Sequence, residues 1–228
     1  MKRASFLISL GLVLVICTTA FAAWNDGTYE AWSDAGARST QYAKVFIKDG
    51  KIAAVIVREF TDRLVEKDWT NYSYPPFGEA ARAIGAEFVK AQSADIDVIS
   101  GATGSSQGWI QAVERALVKA SPQKPGNKYF DGTFLGRSDV ASRGYYEVVW
   151  VTIKDDQITD IKIQRVLEDL SILDPADYNY PLEAAREAYV EQAIAGNTSS
   201  VDTISGATGL TEMLNIAVQD ALDRAVIQ

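Results

Sequence analysis

The 228 residues contain no histidine and a single cysteine, Cys17. Without imidazole, a Ser-His-Asp arrangement and the usual zinc sites are excluded. With one thiol there is no disulfide framework and no iron–sulfur ligation. Positive charge is also scarce: 22 Lys and Arg stand against 30 Asp and Glu, which argues against nucleic acid or anionic lipid as a partner, since both need clustered basic side chains. Redox chemistry in such a chain must come from an organic cofactor.

Long apolar runs are short of what a membrane requires. The longest, Phe6 to Ile16, is roughly half the ~20 residues that cross the hydrocarbon layer. Lys2 and Arg3 precede it and Ala20-Phe21-Ala22 follows, the small residues that a signal peptidase inspects. Residues 1–22 therefore read as a signal peptide, with an uncleaved anchor as the alternative. Bulky Ile16 before Cys17 argues against a lipoprotein cleavage site. Cleavage after Ala22 removes Cys17, Lys2 and Arg3, leaving 20 basic against 30 acidic residues and a net charge of −10.

What is present is a repetition. ISGATG begins at Ile99 and again at Ile204. Asp26-Gly27-Thr28-Tyr29 returns as Asp131-Gly132-Thr133-Phe134, Ser33-Asp34 as Ser138-Asp139, and Arg38 as Arg143, all at an offset of 105. Between them the offset drifts. Ile47-Lys48-Asp49 matches Ile153-Lys154-Asp155 at 106, and Glu79-Ala80-Ala81-Arg82 matches Glu183-Ala184-Ala185-Arg186 at 104. A period this long means two domains rather than a solenoid. We place the first at 23–120, a Pro- and Gly-bearing linker at 121–128, and the second at 129–228.

Each half reads alike. Tyr42–Ile47 and Ile52–Phe60 are rich in Val, Ile and Phe and flank Asp49-Gly50, a hairpin signal. The second copy has Asp155-Asp156 there, which predicts a longer or strained turn. An alanine-rich helix follows, with Ala81, Ile84, Gly85 and Phe88 at helical spacing. A second helix after ISGATG presents Trp109, Ala112, Val113, Ala116 and Leu117, mirrored by Leu214, Ala217, Val218, Ala221 and Leu222. The expected fold class is α+β, a tandem duplication of a small domain with an antiparallel sheet and a C-terminal helix following the SGAT motif.

The repeated phrase sits where that last helix starts. Unpaired N–H groups and the macrodipole favour an anion there; Gly101, Ala102, Gly206 and Ala207 leave room, and Thr103 and Thr208 offer hydroxyls beside a spot suited to phosphate. Ser and Thr before a helix are also common N-caps. A cap needs one side chain, however, whereas six residues recur, with Asp97 and Asp202 at the same distance upstream.

This pattern resembles the FMN-binding domain family, whose members carry D-x-x-[ST]-G-A-T-x-x-[ST] before a C-terminal helix. They include covalent flavoproteins such as the C subunit of the sodium-pumping NADH:quinone reductase and exported two-domain electron-transfer proteins. The resemblance covers nearly all of 24–228. It implies FMN held by phosphoester at Thr103 and Thr208, installed by a flavin transferase from flavin adenine dinucleotide. Asp97, Ser100, Gly101, Ala102 and Ser106 fill the other motif positions in the first copy, and Asp202, Ser205, Gly206, Ala207 and Thr211 in the second. Leu210 replaces the hydroxyl of Ser105, a departure at the second site. Tyr74, Tyr180 and Trp109 could pack on the flavin ring, with core packing the alternative for each. Arg38 and Arg143 could pair with phosphate, with a solvated arginine the alternative. The expectation is an exported, periplasmic or extracytoplasmic, membrane-associated electron carrier between a membrane-bound donor and an extracytoplasmic acceptor, rather than a stand-alone enzyme. The alternative is a non-redox ligand-binding or surface protein that kept the fold without the flavin.

Overall fold

The computed structural model describes residues 24–178 and 181–228. The signal-peptide expectation for 1–22 and the aromatic candidate Tyr180 lie outside the described residues. Among the described residues no helix is long and apolar enough to cross a membrane.

The first repeat runs β1 (Gly27–Trp32), β2 (Ser39–Lys48), β3 (Lys51–Thr61), α1 (Pro75–Ala91) and α2 (Thr103–Ala120). The second runs β4 (Gly132–Arg137), β5 (Tyr146–Lys154), β6 (Gln157–Val166), α3 (Leu182–Gly196) and α4 (Thr208–Ala225), with a short 3-10 turn at Pro175–Asp177 before α3. Each set of strands is an antiparallel three-stranded meander, so the chain is a tandem α+β duplication.

Alternation along the strands decides which face is covered. Ala43, Val45 and Ile47 of β2 point at α1 and α2 and form the first core with Ile84, Phe88, Trp109, Val113 and Leu117. Val149, Val151 and Ile153 of β5 do the same against Tyr189, Leu214, Val218 and Leu222. The last helix of each repeat shows the same buried face, from Ser106, Trp109, Ala112 and Val113 to Thr211, Leu214, Ala217 and Val218. Trp109 is fully buried, and burying a side chain that large stabilises by about 2–3 kcal/mol.

Two expectations shift in detail. Of a longer or a strained Asp155-Asp156 turn the structure has the second: Lys154 pairs with Gln157 as Lys48 pairs with Lys51, so it is no longer than its partner, and both central residues have positive φ, 50° and 62°, which costs a residue with a Cβ. Its carboxylates help to hold it, because Asp156 accepts from the backbone N–H of Lys128 and Tyr129. The EAAR match at 104 is also out of step with the helices by one residue. Buried Phe77, Ala80, Ile84 and Phe88 correspond to Leu182, Ala185, Tyr189 and Ala193, which is 105 throughout. The C-caps agree: Gln92 and Asn197 are both left-handed, and their side-chain oxygens accept from the N–H of Ile52 and Ile158 respectively.

The repeats also share an interface that the sequence pattern did not announce. Leu64 and Phe60 of the first repeat pack with Leu135, Tyr146, Val148, Trp150 and Val166 of the second. Ala35 N–H donates to the Thr133 carbonyl at 2.7 Å, and Tyr146 Oη donates to the Arg63 carbonyl at 2.8 Å. Arg224 lies over the Trp32 ring at 4.0 Å.

Candidate functional site

Each ISGATG phrase forms a tight turn that feeds a helix. Ala102 N–H donates to the Ile99 carbonyl at 3.0 Å, and Ala207 N–H to the Ile204 carbonyl at 2.9 Å. The third residue of each turn has positive φ, 83° at Gly101 and 76° at Gly206, a geometry that glycine adopts without strain. Ser100 and Ser205 precede them, exposed. The helix N-cap that follows is alanine both times, at φ −132°, ψ 33° for Ala102 and φ −129°, ψ 31° for Ala207, with no side-chain cap. The capping reading of the motif therefore fails at the cap position itself: no serine or threonine closes the helix start. First-turn N–H groups have no intrahelical partner and suit water or an anion.

Thr103 and Thr208 are the first helical residues, and both are exposed. Beside them Gly104 and Gly209 are open, since a Cβ at either would meet no atom within 4 Å. Asp97 and Asp202 are exposed on the approach to the turn.

Ser106 and Thr211 do something different. Both are buried. Ser106 Oγ accepts from Ile99 N–H at 3.2 Å, and Thr211 Oγ1 accepts from Ile204 N–H at 3.3 Å while donating to the Ala207 carbonyl at 3.1 Å. These hydroxyls pin the turn to the helix one turn further in. They shape the site rather than line it.

In the first repeat the turn rests on the start of α1. A Cβ on Gly101 would stand 3.2 Å from Pro76 Cβ and 3.4 Å from Tyr74 Oη. Tyr74 is half exposed, so its ring is available beside the turn. Trp109 is not available: it is fully buried, donates from Nε1 to the Arg58 carbonyl at 2.9 Å and stacks on Phe77 at 5.7 Å. On the other flank of α2 an open cleft of about 800 Å³ is lined by Arg38, Gln41, Gly104, Gln107, Gly108 and Gln111, within the size range of small-ligand clefts, about 300–1,000 Å³. Arg38 is exposed there and Arg143 is exposed in the second repeat.

Polar residues at inward strand positions escaped the sequence reading. Gln41 and Glu59 are paired across β2 and β3, and Glu147 and Arg165 across β5 and β6; all four are buried. Their signal was there to be used, because each continues the inward parity of Val45 or Val151 with a polar side chain.

The sequence model of the FMN-binding domain family matches residues 36–118 and again 144–223, each match containing one ISGATG turn. An uncharacterised Treponema pallidum protein is 36% identical over 101 residues, 44% of this chain and 25% of that relative, so the chain spans a quarter of its length. A crystal structure from Clostridium perfringens is 26% identical, with 42% of this chain and 88% of that one covered and a TM-score of 0.33. A solution structure from Clostridium thermocellum is 23% identical, with 44% and 95% covered and a TM-score of 0.32. With two matched regions that together span most of its length, the chain belongs to the FMN-binding domain family.

Proposed function

We propose that the chain is an exported electron carrier that holds two FMN groups as phosphoesters on Thr103 and Thr208. The observation that supports this best is the pairing of an exposed threonine at the first position of each helix with an alanine N-cap. The hydroxyl is then free to be esterified, and the uncapped N–H groups next to it suit a phosphate. In the ester-forming step the threonine oxygen attacks the flavin-side phosphorus of flavin adenine dinucleotide, adenosine monophosphate leaves, and the hydroxyl proton passes to a base of the flavin transferase. The residues present fit the group: Gly101 and Gly206 shape the turn, Gly104 and Gly209 leave it open, and Tyr74 offers a ring face in the first repeat. FMN, when bound, supplies one- and two-electron exchange. A covalent tether keeps the cofactor at high effective concentration on a protein outside the cell.

On this reading residues 1–22 direct export, the donor is a membrane-bound reductase and the acceptor is extracytoplasmic. Intact mass of the chain co-produced with a flavin transferase tests it. The expected result is two added FMN groups in the wild type, one in Thr103→Val or Thr208→Val, and none in the double variant. An unmodified wild-type chain, or flavin that dissociates on denaturation, overturns the proposal and favours the non-redox alternative.

A further inference from the structure

The two repeats are alike in backbone but not in buried charge. In the first, the inward rung of the sheet is Gln41 opposite Glu59. Lys67 Nζ sits 2.5 Å from Glu59 Oε1, so the cluster carries one positive and one negative group. In the second, the same rung is Glu147 opposite Arg165. Arg165 Nε lies 2.6 Å from Glu147 Oε1, and Arg186 Nη2, from α3, lies 3.3 Å from Glu147 Oε2. All three are buried, so two guanidinium groups share one buried carboxylate. Among the described residues Glu183 is the only other acid paired with them, 3.8 Å from Arg186 Nη1 and 63% exposed, where solvent and salt screen it.

The first of these clusters touches the helix that bears Thr103. Gly108 of α2 packs directly on Gln41, whose Oε1 occupies the space that a Gly108 Cβ would need. Gly108 is five residues beyond Thr103, roughly 7.5 Å along the helix axis. Gln41 thus lines the cleft beside the first turn of α2. By ladder register the second rung, 106 residues on at both positions, is the counterpart of the first, and Arg186 ties it to α3. Arg165 also stacks on Tyr178 at 5.2 Å and Tyr145 at 4.2 Å, and Tyr178 packs against the same core as Leu182 and Ala207.

We infer that the excess buried cation of the Arg165–Glu147–Arg186 cluster makes the cofactor on Thr208 the stronger electron acceptor, so that electrons run from the first repeat to the second. This rests on the function proposed above. Two-electron reduction of FMN with uptake of one proton adds one negative charge. A buried positive charge favours that reduced form, whereas the neutral Lys67–Glu59 pair leaves the first site without such a bias. Lys67, Arg165 and Arg186 act as tuning groups through space.

Potentiometric titration of the full chain, flavinylated by a co-produced transferase and reduced stepwise with dithionite, tests this. Thr208→Val leaves only the first flavin and Thr103→Val only the second. We expect the second to be reduced at an equilibrium constant at least tenfold more favourable, about 30 mV for a two-electron couple. Arg186→Met in the Thr103→Val background should lower that midpoint, and Glu147→Gln should raise it. Equal midpoints, or a second site lower than the first, overturn the inference even if a core variant fails to fold, because this comparison needs neither core change. Failure of the parent reading looks different: no flavin is attached, and the inference falls with it.

Discussion

Arg115 Nη2 lies 2.8 Å from the Asp131 carbonyl oxygen, so the helix that begins at Thr103 grips the segment leading into β4 of the other repeat. The same buried guanidinium donates to the Trp32 carbonyl at 2.8 Å and to Asp34 Oδ1 at 2.7 Å, and it stacks on Phe134 at 4.8 Å. Arg115→Met keeps much of the volume but strands two carbonyl groups. We expect a loss of about 2–4 kcal/mol in urea denaturation, together with faster proteolysis in the exposed stretch 122–128. Unchanged stability would show that the grip contributes nothing net.

Thr211→Val removes the hydroxyl that holds Ile204 N–H and leaves that amide without its partner. A cost of about 1–2 kcal/mol follows, and hydrogen exchange at Ile204 should quicken while exchange in β5 changes little. Ser106→Ala should do the same to Ile99. If either amide stays protected, the hydroxyl is not what pins the turn.

Neighbouring glycines in the first site should respond with opposite signs. Gly101→Ala forces positive φ on a residue with a Cβ and pushes that atom towards Pro76, at a cost of about 1–2 kcal/mol. Gly104→Ala meets open space and should stabilise by about 0.5 kcal/mol. Thermal unfolding of the two variants side by side checks this; a shared sign would refute the turn geometry.

Burial pulls the Lys119 ammonium down to about 8, helped by Lys124 and Arg115 and opposed by Glu30. Its Nζ donates to the Glu30 carbonyl at 2.8 Å. Between pH 8 and the ordinary lysine value of 10.5, the unfolded chain holds this proton more tightly than the folded one. Stability contributed by this group therefore rises with pH across that window. Relative to wild type, Lys119→Met should gain most at neutral pH, and the gain should shrink towards pH 10.5. A difference that stays constant from pH 7 to 10.5, measured by denaturant titration, contradicts the shift.

The fold was legible because each half repeats the same periodicities, and agreement between two copies is stronger than either alone. Inward Val45 and Val151, and the buried face from Trp109 or Leu214 onward, are visible as spacing. What misled was identity of letters. EAAR recurs at 104, yet burial and the Gln92 and Asn197 caps fix the helices at 105, because a helix tolerates a one-residue slip of small alanines more readily than a slip of its buried large residues. Asp155-Asp156 closes a two-residue turn because Asp156 finds backbone donors 28 and 27 residues earlier in the chain, at Lys128 and Tyr129, which no local rule reports. Thr103 and Thr208 were legible as exposed motif hydroxyls. The inward role of Ser106 and Thr211 was not, since a motif records which residues recur and not which way they point. The interface was illegible for a related reason: Arg115 and Asp220 occupy equivalent places, and only the first reaches across.

An α-helix of 18 residues, such as α2, is a rod about 27 Å long. Thr103 is the first residue of that rod, and Arg115, about 18 Å further along, is bolted to the second repeat. Tilting one half of the molecule against the other would swing the threonine through an arc like the tip of a lever, so the spacing between Thr103 and Thr208 is geared to the interface rather than left to the slack of a tether.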